Sequence, residues 1–377
     1  MLFWVLNIGV FAVYSFILNI KSKKNNVYLV IALLHLSILI IFRDISVGTD
    51  TRSYSMAYEL LYKTGSAGKH VMTTAPFFYQ YMKYVAKVWP YKNGYILFTA
   101  FPTMLCLAYF LKKQGDDYFS NIYLYCVCYF YFYSMNAARQ FLAMGVIMIC
   151  YCLTQAGRKM GAWLLFLCAC AIHSTSVIFG IFLIANLIKW NSKRLMGALI
   201  LILTIMPLLP MFMTLFIKIY PQYNFLLNKV FAEKYTSQGR ASMVYAICCI
   251  VAVTIEVLGI MYEEKKFSIL IGGKEVIGKP YNMDEIYGLE QKNCELVVLV
   301  FTCGCIFLFY PTSILFWRMA YTGFLFIILL LPRALSRIIH GNLICTTIMY
   351  MPLLIIMLMQ IVGNYSNVRD YAFYIFS

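Results

Sequence analysis

Apolar runs close to the length of a bilayer crossing recur from one end of this 377-residue chain to the other. They fall at 2–20, 27–42, 94–111, 119–135, 139–156, 162–188, 195–217, 241–262, 295–313, 315–332 and 343–363. A helix needs about 20 apolar residues to cross the hydrocarbon layer. Inside that layer every backbone N–H and C=O must be paired internally, so only helices and closed barrels span it. The alternating pattern of a barrel strand is absent from these runs. Hydrophobic residues make up 62% of the chain and its mean hydropathy is +0.76, well above the roughly half-apolar composition of a soluble domain. The expected fold is therefore all-α: a polytopic transmembrane helical bundle of about 11 to 12 spans. It forms a single integral membrane domain over 1–377.

Charge sets the topology. Thirty-one Lys and Arg stand against 15 Asp and Glu, a net charge of +16. In a soluble chain this balance would suggest nucleic acid. Here the basic residues sit in short loops between apolar runs, so they report topology and contact with membrane lipids, and no nucleic-acid partner is expected. Lys21, Lys23 and Lys24 follow the first run, whereas a cleavable signal peptide carries its positive charge in front. The first run is thus expected to be a retained span with its N-terminus outside. Lys112 and Lys113, then Arg158 and Lys159, mark the next inside loops.

The run 162–188 is too long for one span and too short for two, at about 40 Å of helix. Lys189, Lys193 and Arg194 follow it and also read as inside. Both assignments hold if the chain enters and returns, with a broken, re-entrant pair of half-helices meeting near His173 in the polar stretch His173-Ser174-Thr175-Ser176; the alternative is one long tilted helix, which would invert the topology of everything downstream. Such breaks are tolerated where they line a cavity or are buried in protein. The loop 263–294 is then cytoplasmic. The loop 43–93 is outside and carries an aromatic segment from Pro76 to Trp89 that reads as an interfacial helix. Six of the ten arginines fall on this outer face: Arg43, Arg52, Arg139, Arg240, Arg318 and Arg369.

The densest charge lies at the mouth of the second run, in FRDISVGTDTRSY from Phe42 to Tyr54. Arg43, Asp44, Asp50 and Arg52 fall within ten residues, in a chain only 12% charged. Charge beside a span is costly unless solvated or paired. A self-neutralising Arg43–Asp44 pair, with Asp50 or Thr49 capping the following helix, is one reading. The other is an anion site. Arg139 opens a span, where the helix dipole disfavours a cation unless an anion or acid faces it. Arg318 sits between two apolar runs, where snorkelling to the headgroups is the simple explanation. Several guanidiniums on one face favour an anionic, phosphate-bearing ligand, since Arg grips phosphate as a bidentate fork.

Other chemistries are disfavoured. The cysteines lie within spans, and pairs such as Cys126 and Cys128 point to opposite helix faces, so they hold no common metal. No metal-site motif, P-loop or dinucleotide fingerprint is present, so no metal and no cofactor are expected. His35 and His340 read as packing or loop residues.

The pattern resembles the EpsG family of Wzy-like membrane polysaccharide and O-antigen polymerases. The resemblance rests on Arg43 with Val47-Gly48-Thr49-Asp50-Thr51 and Tyr54, on Arg139-Gln140 with Ala143, and on His173-Ser174. It rests more loosely on Arg318 with Tyr321 and on the aromatic tail from Tyr371 to Tyr374. It implies a GT-C-like bundle in the cytoplasmic membrane with its active face outside. It also implies a glycosyltransferase that polymerises undecaprenyl-diphosphate-linked oligosaccharide repeat units into an exopolysaccharide, capsule or O-antigen chain. Flippase and chain-length-regulator proteins would be its partners. Arg43, Arg52, Arg139, Arg318 and Arg240 would hold the diphosphate. Asp50, His173 and Asp44 would be the catalytic candidates. Where the family pattern carries Glu-Pro, this chain has Ala75-Pro76, which moves the acid role to those three. A flippase for the same lipid-linked glycan, an O-antigen-ligase-like transferase and a non-catalytic scaffold are the competing readings.

Overall fold

The computed structural model describes residues 2–19, 23–66, 76–219, 236–272, 283–311, 313–339 and 350–374. Nearly all of them are helical, as the apolar runs require. The chain forms two compact units, one of Met1–Val177 with Tyr350–Ser377 and one of Ile178–Met349.

The first unit contains α1 (Leu2–Asn19), α2 (Asn26–Ile41), α3 (Thr51–Thr64), α4 (Pro76–Val88), α5 (Gly94–Gln114), α6 (Tyr118–Val127), α7 (Phe130–Ser134), α8 (Ala138–Gln155) and α9 (Lys159–Ile172), with a C-terminal helix, Met351–Val362, completing it. Local chemistry sets the helix starts. Asn25 caps α2 by accepting from the Val27 and Tyr28 amides, and Asp117 caps α6 by accepting from Ser120 N; both satisfy orphan first-turn donors. The expected span 119–135 is broken after Cys128, because Tyr129 takes φ 67° and redirects the chain into α7. The expected interruption at His173 is present: α9 ends at Ile172, His173 is extended, and a 3-10 turn follows over Ser174–Phe179.

Helix α5 packs against α2 and α8, and α8 against α9. Helix α4, from the expected interfacial segment, packs on α3 through one apolar cluster. That cluster joins Tyr58 of α3, Phe78 and Met82 of α4, Tyr95 of α5, Ala138 and Leu142 of α8, and Ile172 at the end of α9. The loops expected to share the inner face meet at one end of this unit. Lys112 Nζ donates to Asn26 Oδ1 at 2.6 Å, and the Tyr118 amide to the Lys23 carbonyl at 2.9 Å.

The second unit contains α10 (Gly180–Ala185), α11 (Ser192–Ile205), α12 (Leu209–Ile219), α13 (Thr236–Gly272), α14 (Met283–Phe309), α15 (Ile314–Phe324) and α16 (Ile327–Ile339); the terminal helix of the first unit is α17. Helix α14 packs against α10, α11, α13 and α15, and α13 against α16. Helices α13 and α14 extend into the expected loop 263–294, leaving 273–282 outside the described residues. Glu256 of α13 is fully buried, and its carboxylate accepts from Arg337 Nε at 2.7 Å and Asn293 Nδ2 at 2.6 Å.

By length and composition, four helices among the described residues suffice to cross a membrane: Gly94–Gln114, Ala138–Gln155, Ser192–Phe212 and Ala241–Glu263. A fifth is the pair Ile314–Phe324 and Ile327–Ile338, bent by 56°. That bend falls inside the expected span 315–332. Shorter apolar helices account for much of the remaining expected spans, among them Phe3–Leu18, Asn26–Ile41, Lys159–Ile172 and Met351–Val362.

Candidate functional site

The charged segment after α2 is docked, residue by residue, onto the turn that launches α8. The Met135 carbonyl accepts from Thr51 Oγ1 at 2.9 Å and from Arg43 Nη2 at 3.0 Å. Asn136 Oδ1 accepts from Thr49 Oγ1 at 2.7 Å and from the Asp50 amide at 2.8 Å. Gly48 makes this approach possible. Its φ is +98°, and a β-carbon there would collide with the Met135 carbonyl and Thr51 Oγ1; only glycine tolerates both conditions. Two pieces of sequence, Val47–Tyr54 and Arg139-Gln140, thereby become one corner.

The C-terminal tail holds the corner from the other side. The Asp44 amide donates to the Ala372 carbonyl at 2.8 Å, and the Tyr374 amide to the Phe42 carbonyl at 2.8 Å, an antiparallel bridge of Arg43 with Phe373. The Gly48 amide donates to the Asn367 carbonyl at 3.1 Å, and Asn367 Nδ2 to the Ser46 carbonyl at 2.8 Å. Asn364, Ser366 and Asn367 reach this position with φ of 52°, 64° and 53°. Such left-handed residues carry strain that surrounding contacts must hold. Trp4 Nε1 on the Val368 carbonyl at 2.6 Å, and Phe3 stacked on Tyr371 at 4.2 Å, help to hold them.

The charged residues separate into distinct roles. Arg43 is fully buried, and its Nη1 and Nη2 donate to the carbonyls of Ile40 and Met135. These terminal nitrogens join the end of α2 to the 135 turn, while Arg43 Nε is buried without a hydrogen-bond partner. A cation on the last carbonyls of a helix is also favoured by the dipole. Burial pulls its pKa down to about 10, which leaves it charged near neutrality. The expected Arg43–Asp44 pair is not formed. Asp44 Oδ1 accepts instead from the Ser46 amide at 2.9 Å, closing a local turn. Asp50 occupies the N-cap position of α3 without a side-chain cap bond, so its carboxylate is not committed to the helix start. Arg52 is exposed on the first turn of α3.

Arg139 is half-buried at the start of α8, with its guanidinium 6.0 Å from the centre of the Phe78 ring. Its Nε is buried without a hydrogen-bond partner, and among the described residues no acid pairs with it. Close by is a residue the sequence reading passed over. Tyr95, in the first turn of α5, is buried with its hydroxyl unpartnered. That hydroxyl lies within electrostatic reach of Asp50, Arg43 and Arg139. Tyr54 stacks on it at 5.1 Å, so the tyrosine of the sequence motif orients the Tyr95 ring.

His173 is half-buried at the end of α9, with Nδ1 hydrogen-bonded to Thr175 Oγ1 at 2.8 Å. Its neighbour Ile172 belongs to the same apolar cluster as Tyr95 and Ala138. Arg318 belongs to the second unit, half-buried on α15 beside the stacked Trp317 and Tyr321 rings. Arg240 lies in the first turns of α13, its side chain outside the described residues. Among the described residues no three His, Cys, Asp or Glu side chains gather as a metal ion would require.

Fold and site together define a multi-pass membrane protein, with a corner where one uncommitted carboxylate and one unpaired guanidinium stand on a rigid scaffold. The EpsG family model matches residues 26–374, and the chain belongs to that family. EpsG is a family of Wzy-like polysaccharide polymerases. No curated protein and no solved structure matches the chain.

Proposed function

We propose that the chain lengthens a polysaccharide by transferring a glycan from undecaprenyl diphosphate to a sugar hydroxyl of the next lipid-linked repeat unit. The reaction takes place on the outer face of the cytoplasmic membrane and uses no metal. Chemically, the hydroxyl oxygen attacks the anomeric carbon, and the bond from that carbon to the diphosphate oxygen breaks. The proton leaves with the general base, and the lipid diphosphate departs with the electron pair. The departing anion needs fixed positive groups, and the hydroxyl needs an acceptor within hydrogen-bond reach.

The observation that carries this reading is Arg139: a half-buried guanidinium with an unpartnered Nε and, among the described residues, no acidic partner. A cation at a helix N-terminus is disfavoured by the dipole, and a diphosphate oxygen supplies what it lacks. The Tyr95 hydroxyl is the second donor, Arg52 an exposed third. Asp50 is the preferred base, with His173 next, while Asp44 and Arg43 position the loop. Arg318 and Arg240 remain candidates for the second lipid-linked substrate. The flippase alternative looks to mid-span charges, and the main one, Glu256, is neutralised by Arg337.

The test is a purified full chain in lipid supplied with a lipid-diphosphate repeat unit. A product ladder supports the reading. Transbilayer movement of the substrate without longer products would replace it with a flippase, and a single transfer to a different acceptor would replace it with a ligase.

A further inference from the structure

Asp50 begins α3 without doing what the capping residues elsewhere in the chain do. Asn25, Asp117, Asn191 and Ser313 each begin a helix from an extended conformation, with ψ of 100° to 168°, and each accepts a first-turn amide with its side chain. That is the ordinary N-cap geometry. Asp50 is already helical, with ψ −15°, and makes no such bond. Asn93, at the start of α5, has the same helical geometry, with ψ −6°, and makes none either. The cap bond goes with the extended conformation, which Asp50 is denied.

Asn136 is what denies it. Its Oδ1 accepts from the Asp50 amide at 2.8 Å and from Thr49 Oγ1 at 2.7 Å. A backbone N–H only donates, so the Asn136 oxygen must face the loop. The next residue, Thr51, is tied to the Met135 carbonyl at 2.9 Å. Three consecutive residues are thus fastened to two. Swinging ψ of Asp50 into the extended range would pull Asp50 off Asn136 or Thr51 off Met135. Asn136 is half-buried in the turn before α8. From 86 residues away it supplies the acceptor that fixes the start of α3.

We infer that Asn136 is a positioning residue: by holding the Asp50 amide it keeps the Asp50 carboxylate off the helix start and free to take a proton. Without that acceptor, Asp50 relaxes to the extended conformation and caps α3 with its own carboxylate. The inference rests on the polymerase reading for the use of Asp50 as a base. It adds that one turn sets both the base and the Arg139 guanidinium, since Asn136 and Arg139 stand three residues apart.

The first measurement reads the carboxylate without any glycan chemistry. The full chain in phosphatidylcholine nanodiscs is treated with a water-soluble carbodiimide and an amine, and labelling at Asp44 and Asp50 is followed by mass spectrometry. Asn136→Leu and Asn136→Ala both remove the acceptor, and only the first keeps its volume. Labelling of Asp50 falls about fivefold in both, because amide donors favour the ionised carboxylate, which carbodiimide attacks poorly. Asp44, held by the Ser46 amide, is the internal reference and keeps its rate. Asn136→Asp retains the oxygen, and Asp50 labels at least as fast as in the parent. In a second measurement, Asn136→Leu lowers kcat for ladder formation on the order of a hundredfold with KM unchanged, and has no further effect in Asp50→Asn. Asp50 labelling that is unchanged or faster in Asn136→Leu and Asn136→Ala overturns the inference, as does an equal kcat loss in the Asp50→Asn background. A fall in labelling with no ladder from the parent chain sinks the polymerase reading and leaves the Asn136 assignment standing. A ladder from a parent chain whose Asp50 labelling ignores Asn136 does the reverse.

Discussion

Arg43 Nη2 gives its proton to the carbonyl of Met135, 92 residues further along the chain, at 3.0 Å. The same carbonyl accepts Thr51 Oγ1. One backbone oxygen thus joins the end of α2, the start of α3 and the turn before α8. Because Arg43 is buried and its terminal nitrogens are bound to carbonyls, its contribution is to stability and positioning. Arg43→Lys keeps the charge and loses the fork. Thermal unfolding in detergent should show Arg43→Ala destabilised by about 2 to 4 kcal/mol and Arg43→Lys by at least half of that, since charged hydrogen bonds are lost and carbonyls are orphaned. If Arg43→Lys unfolds like the parent and loses only substrate affinity, Arg43 is a ligand after all.

Gly48→Ala should be more damaging than its small size suggests. The residue combines φ +98° with a β-carbon clash against the Met135 carbonyl. Strain and overpacking together cost about 2 to 4 kcal/mol. The gap would show as earlier unfolding and as faster proteolysis between α2 and α3. Gly65, also at positive φ but with open space around it, is the control: Gly65→Ala should cost about 1 to 2 kcal/mol, the left-handed penalty alone.

Arg139 and Tyr95 should separate from the scaffold residues by sparing the fold. Removing a fixed donor to a developing anion lowers kcat on the order of a hundredfold, and this is expected of Arg139→Ala with little change in unfolding. Tyr95→Phe retains the ring stacked on Tyr54 and removes only the hydroxyl. A loss on the order of tenfold in ladder formation is expected, the worth of one hydrogen bond. Undiminished activity in Tyr95→Phe would mean that the buried hydroxyl serves nothing in the reaction.

Much of this architecture was legible from residues alone. The apolar runs announced helices, and HSTS announced the interruption at His173 because a polar cluster cannot continue an apolar helix. Gly48 with Asp50 announced a turn. The docking of that turn on Met135 and Asn136 was not legible, because hydrogen bonds to a backbone carbonyl leave no mark in the sequence of the acceptor. Nor was the burial of Arg43, whose fate depends on a tail more than 300 residues away. Tyr95 is one of 31 tyrosines, and nothing in its neighbours sets it apart. The 56° bend after Phe324 falls inside the expected span 315–332, whose proline, Pro332, stands a full two turns beyond it.

Acid should loosen the corner between α3 and the start of α5. Glu59 accepts from Lys63 at 2.6 Å and approaches Lys92 at 3.3 Å. The hydrogen bonds from Lys63 and Lys92 hold its carboxyl below the ordinary glutamate value. A depressed folded pKa contributes stability above the unfolded value, and that contribution is lost as pH falls through the folded value. Near the surface the effect is small. Protease cleavage within α3 should therefore rise as pH drops below the ordinary glutamate range, and Glu59→Gln should remove that dependence. An identical pH response in Glu59→Gln would assign it to other carboxylates.

The buried pair in the second unit gives the clearest division between a transport path and a packing device. Glu256 is fully buried, held by Arg337 Nε at 2.7 Å and Asn293 at 2.6 Å. Gly259 leaves room for the guanidinium, since a β-carbon there would come within 2.9 Å of Arg337 Cδ. Glu256→Gln removes the buried counter-charge of Arg337, which is part-exposed and keeps Glu263, and should cost about 1 to 3 kcal/mol. An apolar pair of similar volume removes both charges, and such replacements are often neutral. Glu256→Leu with Arg337→Met should therefore unfold close to the parent, although Glu263, the other acid on Arg337, also loses its partner. The double variant should retain the product ladder if the pair serves packing alone. A double variant that is stable and yet inactive would return these residues to the reaction path and reopen the transporter reading.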